Sequence, residues 1–182
     1  MKNSPSLIII GGFAGAGKTT IATKLAGEFN FPVYSSDEIN SALRSSFKKT
    51  FHEMSPHAYD ILWNLVKKQL GLGVSLVLDV HMARQEIWDT LDELKNDMPN
   101  VKILPFILEA PLVIHRTRID TRGQSDKDHL NLGGDKLEDV LHKYEFIKNL
   151  KRKDLVRIDA SREVDSVYST IVSMLQHKGI VS

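Results

Sequence analysis

Eight consecutive residues, Gly12-Phe13-Ala14-Gly15-Ala16-Gly17-Lys18-Thr19, set Gly, four residues, Gly, Lys and Thr in a row. The chemistry this spacing serves is anion binding. Glycines let successive backbone N–H groups curl around an anion without a Cβ in the way. A helix beginning at Lys18 would aim its dipole and unpaired N–H groups at the same point. Lys18 then reaches the β- and γ-phosphates of a nucleotide as a point charge, and the Thr19 hydroxyl ligates Mg²⁺. This is the Walker A spacing. It nominates Gly12, Gly15, Ala16, Gly17, Lys18, Thr19 and Thr20 as the phosphate-binding set, with ATP as the ligand.

Carboxylates and arginines elsewhere could complete such a site. Asp79 closes the apolar run Leu76-Val77-Leu78, the Walker B pattern, where a carboxylate holds Mg²⁺ directly or through water. His81 and Arg84 follow it on the lip of the same crevice. Asp37 stands just after Tyr34-Ser35-Ser36 and ahead of a helical pattern through Ile39, Leu43 and Phe47. There, Ser36 or Asp37 could cap the helix or Asp37 could face a ligand, and both can hold at once. Arg118 and Arg122 are four apart, hence on one helix face, and precede the polar stretch Gly123–Gly134. A polar loop of that length in a compact domain is usually functional or mobile.

The elements that must position these residues alternate. Apolar, β-branched runs at Leu7–Ile10, Pro32–Ser35, Ser75–Asp79, Lys102–Leu108 and Leu155–Asp159 predict five strands. Helical spacing links Ile21, Ala22, Leu25 and Phe29, and again Ala58, Ile61, Leu62, Leu65 and Val66. Ser55-Pro56 supplies an N-cap and first-turn proline for the second of these, and Gly71 its end. Further helices run through Leu137, Val140, Leu141, Tyr144 and Ile147, with Asp135 and Glu138 at capping-box spacing, and through Val164 to Leu175. Strand and helix in alternation mean an α/β fold with a parallel sheet between helical layers.

Composition narrows the function. The 182 residues predict one domain, numbered 1–182, able to bury roughly 70% of its extended surface. Lys plus Arg number 24 against 23 Asp plus Glu, and a net charge of +1 argues against a broad nucleic-acid or membrane footprint. With no cysteine, a disulfide framework, a catalytic thiol and thiolate zinc are excluded. Leu7–Gly17, the longest stretch without a strongly polar side chain, is too short to span a bilayer, so a cytoplasmic protein is expected. No Asn-Lys-x-Asp tetrapeptide is present to read guanine. His52 and His57 are five apart with Pro56 between them, which predicts a loop and no zinc helix. Lys148, Lys151, Arg152 and Lys153 read as the end of a helix, and Trp63 and Trp88 as packing residues.

The order of these motifs resembles the small-molecule P-loop kinases, which include gluconate and shikimate kinases, chloramphenicol phosphotransferase and zeta toxins. Closest in pattern is the group of small AAA-type predicted kinases. The resemblance runs through the Walker A loop, Tyr34–Ile39, Leu76–Asp79, Arg118–Arg122 and Val156–Ser161. It implies a three-layer α/β/α P-loop fold of the shikimate/adenylate-kinase type, with sheet order 2-3-1-4-5 and a short lid at about 118–134. It further implies that Asp37 is the base toward an acceptor hydroxyl, that Arg118 packs on adenine and that Arg122 closes on the transferred phosphoryl. The segment Asp159–Val164, with Arg162, would line the adenine. Many relatives, polynucleotide kinases among them, carry Arg where this chain has Asn40, which speaks against an acceptor phosphate bound at this point, and shikimate-type relatives carry Asp where it has Ser35. The expected protein is therefore a monomeric or dimeric ATP- and Mg²⁺-dependent kinase for a small hydroxylated molecule. A polynucleotide 5′-end or nucleoside phosphate kinase, and an ATP-binding regulatory module without phosphotransfer, stand as alternatives.

Overall fold

Leu7, Ile8, Ile9 and Ile10 are wholly buried, yet they face two different cores. Successive side chains of a strand point to opposite faces, so a continuously apolar strand must be covered on both. Leu7 and Ile9 meet Leu62, Val66, Leu76, Trp88 and Leu91 on one side. Ile8 and Ile10 meet Ile21, Leu25, Phe106, Ile171 and Leu175 on the other. A three-layer sandwich follows. The computed structural model describes residues 4–125 and 137–181, with backbone alone at 122–125 and 137–141.

Along the chain lie β1 (Ser6–Gly12), α1 (Lys18–Phe29), β2 (Val33–Ser35), α2 (Ser36–Phe47), α3 (Phe51–Gly71) and β3 (Leu76–Asp79). Next come α4 (Gln85–Asp97), β4 (Lys102–Glu109), α5 (Leu112–Ser125), α6 (Leu137–Asn149), β5 (Val156–Asp159) and α7 (Val164–His177). All strand pairs are parallel, in the order β2-β3-β1-β4-β5. The expected order is thus observed, and the strands' carboxyl ends share one edge. Asp79 stands there in register with Ile10 on one neighbour and Ser35 on the other.

Four local expectations need correction. Helix α3 begins at Phe51, a turn before the expected Ser55-Pro56 start, because Thr50 and Glu53 form a reciprocal capping box. His52 and His57 therefore lie on a helix and not in a loop, although the five-residue spacing still keeps them off a shared face. Neither Ser36 nor Asp37 caps α2: the Ser35 side chain accepts from the Glu38 N–H at 3.4 Å. The basic run does not simply complete a helix end, since α6 stops at Asn149 and Arg152 lies beyond it. Asp135, expected to cap α6, lies outside the described residues.

Arg152 instead ties the α6–β5 connection to α4. Its guanidinium bonds both Asp92 oxygens at 2.9 and 2.5 Å and Asp154 at 3.0 Å, and stacks 4.9 Å from the Trp88 ring centroid. Arg152 holds Asp92 and Asp154 below the usual carboxylate range. Depressed folded-state values stabilise above the ordinary carboxylate pKa, and that stabilisation disappears as pH falls through them. Arg152→Met is accordingly expected to cost about 1–2 kcal/mol at neutral pH, partial exposure trimming the value of the charged bonds. In urea melts the gap from wild type should narrow once the pH falls below about 4.

Candidate functional site

The turn after β1 is shaped by its glycines. Gly12, at φ +140°, sits so close to β4 that an added Cβ would lie 2.6 Å from the Leu108 carbonyl oxygen. Gly17 caps α1 at φ +90°, with nothing within 4 Å of where a Cβ would be. It brings no capping side chain, so the first N–H groups of α1 face an opening that suits an anion. Lys18 is 7% exposed, and its Nζ donates to the Phe13 carbonyl at 3.3 Å. The Ala16 N–H donates to the same carbonyl at 3.2 Å, which tightens the loop. Thr19 and Thr20 are exposed on the first turn of α1.

The Thr19 hydroxyl donates to Asp79 Oδ2 at 2.6 Å, joining α1 to the end of β3. Asp79 is 4% exposed. A hydroxyl and a carboxylate side by side are hard oxygen donors, the set Mg²⁺ takes alongside phosphate oxygens. The residues present therefore fit the metal that the P-loop spacing implies.

Asp37 enters from α2. Because Ser35 does the capping, Asp37 lies in the exposed first turn at the same sheet edge. His81 Nε2 is 3.4 Å from Asp37 Oδ2. Behind them, the Tyr59 hydroxyl from α3 donates to the His81 carbonyl at 3.4 Å, with the buried Ser36 side chain beside it. Burial pushes the Tyr59 phenol up to about 12, with the Asp37 and Asp79 charges adding to the rise, so it keeps its proton near neutrality. Arg84, at the start of α4, contributes the opposing positive charge. Asn40 is buried, and its amide donates to the Phe51 carbonyl at 3.1 Å, which places it between α2 and α3.

Sequence spacing gives no sign of Tyr59, which stands 22 residues from His81 and beside the core position Ala58. A second cluster it leaves silent is Phe13, His115 and Tyr144. The His115 ring meets Phe13 edge-on at 5.3 Å and Tyr144 at 6.1 Å, so α5 and α6 both rest on the phosphate loop. Burial lowers the His115 pKa, with the Arg118 and Lys18 charges also acting against its protonation.

Arg118 and Arg122 share α5. Arg118 Nη1 donates to the Ala160 carbonyl at 2.9 Å, which sets it against the loop after β5. The Arg122 side chain and the lid expected through residue 134 fall outside the described residues from 122 on. Asp120 and Gly123 have the Asp-x-x-Gly spacing of a γ-phosphate switch, but they lie within α5 and not at a strand end. Arg162 pairs with Asp159 at 3.2 Å on the surface. The site thus gathers Lys18, Thr19, Asp37, Asp79 and Arg118 along one sheet edge.

The model of an AAA domain family matches residues 7–147, from β1 to within α6. Among solved structures, the chain is similar to a candidate kinase from Chloroflexus aurantiacus, with TM-score 0.73 and 17% identity over 97% of this chain and 99% of that one. It is similar to a sugar kinase from a Janibacter species, with TM-score 0.68 and 15% identity over 98% and 99%. A gluconokinase from Sinorhizobium meliloti aligns with TM-score 0.61 and 13% identity over 97% and 94%. At these identities the likeness is one of fold. Comparison with curated proteins returns no match. Among the described residues, no helix is long and apolar enough to cross a membrane.

Proposed function

The chain belongs to the AAA domain family, and from that premise we propose that it transfers the γ-phosphoryl group of ATP to a hydroxyl of a small molecule. The observation that carries this reading is the Thr19–Asp79 contact at 2.6 Å, which joins the phosphate loop to the end of β3. Asp37 stands across the same edge, where an acceptor hydroxyl would lie. Two of the similar structures are kinases that their descriptions assign to a sugar and to gluconate, which supports a polyhydroxylated acceptor.

Catalysis by such a site is mostly positioning and charge neutralisation. The loop amides and Lys18 hold the β- and γ-phosphates. Thr19 and Asp79 would hold Mg²⁺, which supplies positive charge at the phosphate oxygens when bound. Asp37 orients the acceptor hydroxyl and takes its proton as the new oxygen–phosphorus bond forms and the bond to the β-phosphate oxygen breaks. Arg118 holds the nucleotide against the loop after β5, and Arg122 closes over the transferred group. The proposed place of action is the cytoplasm, where ATP is abundant.

The test is an ADP-release screen over sugars, sugar acids, nucleosides, aminoglycosides and oligonucleotide 5′ ends. ADP formed in step with one phosphorylated small acceptor is expected. Mg·ATP at a hundred times its dissociation constant should raise stability by about 2.7 kcal/mol. If it does so but no acceptor yields ADP, the chain binds nucleotide without transferring phosphate. Salt-sensitive turnover of oligonucleotides alone would assign it to nucleic-acid ends instead.

A further inference from the structure

Asp37 sits on the exposed first turn of α2, a place where a helix end ordinarily frays. A base in phosphoryl transfer must hold its carboxylate within hydrogen-bond reach of the acceptor hydroxyl. The turn is restrained from outside its own helix. Tyr59 of α3 stands beside Ser36, the buried residue just before Asp37, and its hydroxyl donates to the His81 carbonyl at 3.4 Å. The His81 ring then stands 3.4 Å from the Asp37 carboxylate. One phenol therefore holds the backbone of the residue whose ring meets the Asp37 carboxylate.

We propose that Tyr59 is a positioning residue for Asp37, acting through His81 and not by touching the acceptor. The inference rests on the kinase reading and on Asp37 as its base. Tyr59→Phe keeps the ring and its packing while removing the hydroxyl that joins α3 to the segment after β3. Losing its bond to the His81 carbonyl is expected to slow kcat for ADP release by about ten-fold, with the KM for ATP changed less than about two-fold.

The deciding measurement repeats Tyr59→Phe in an Asp37→Asn background, with water and then gluconate as phosphoryl acceptors. No further loss there supports the positioning role. A full ten-fold loss in that background overturns it, because Tyr59 would then act on the acceptor or the fold directly. Amide exchange in the nucleotide-free protein provides a second readout. Tyr59→Phe should speed exchange at Glu38, whose N–H bonds the Ser35 side chain, about ten-fold while leaving β1 unchanged. Unchanged protection at that amide overturns the tie whatever the kinetics show. If wild type releases no ADP the kinase reading fails, and if Asp37→Asn turns over normally Asp37 is not its base; in either case the exchange result still decides whether Tyr59 holds the turn.

Discussion

Lys18→Ala is expected to lower kcat for phosphoryl transfer by at least about 10²–10³-fold, the scale set by removing one preorganised donor from developing charge. The ammonium lies in the mouth of the Gly12–Gly17 loop with its stem buried, and no other residue of that loop carries positive charge. Negative charge spreads over the transferred group in the transition state, so the loss should fall on kcat more heavily than on ATP affinity. Lys18→Arg should not restore the rate. A guanidinium fork is wider than an ammonium and would have to enter a space framed by the Phe13 carbonyl and the first turn of α1. Folding should survive both changes, since α1 is anchored by Ile21, Ala22 and Leu25 in the core. Circular dichroism and a melting curve beside the ADP assay check this. Normal turnover by folded Lys18→Ala would mean that the Walker A spacing does not serve catalysis here.

What could be read before folding divides by range. The phosphate loop is legible because all its requirements are local: glycines where the backbone turns, a strand before and a helix after. Strands β1 and β3 are legible because parallel strands buried on both faces are continuously apolar, while the half-buried edge strands β2 and β5 show only short β-branched runs. Helix starts were harder, where two local signals compete. Thr50 and Glu53 spell a capping box, yet Pro56 argues for a later start, and the box prevails because Pro56 costs one bond to the exposed His52 carbonyl. Three adjacent serine and aspartate residues could each have capped α2, and only the β-region backbone of Ser35 decides among them. Helix α4 carries the apolar spacing Ile87, Trp88, Leu91 and Leu94 but little else to mark its start, for Arg84 brings no side-chain cap. The contacts of Asp37 and of Tyr59 with His81 join three separate elements. No spacing rule reaches across them.

The two carboxylates at the sheet edge should separate cleanly by their Mg²⁺ dependence. Asp79 is buried and already accepts from Thr19, so its oxygens are committed to the hydroxyl that would share the metal. Asp79→Asn is expected to raise the Mg²⁺ concentration needed for half-maximal rate by more than about ten-fold, as a charged hard ligand becomes a neutral one. Asp37 is exposed, faces His81, and lies one strand away from the Thr19 contact. Asp37→Asn should leave the Mg²⁺ requirement nearly unchanged while kcat falls by about 10²–10⁴-fold, the usual worth of a positioned proton acceptor. Saturating Mg²⁺ would then restore much of the rate to Asp79→Asn and none to Asp37→Asn. The reverse pattern would make Asp79 the base and Asp37 the metal's partner. Geometry argues against that exchange, because the hydroxyl of the Walker A threonine is hydrogen-bonded to Asp79 at 2.6 Å and not to Asp37. A metal shared with that threonine has to sit beside Asp79.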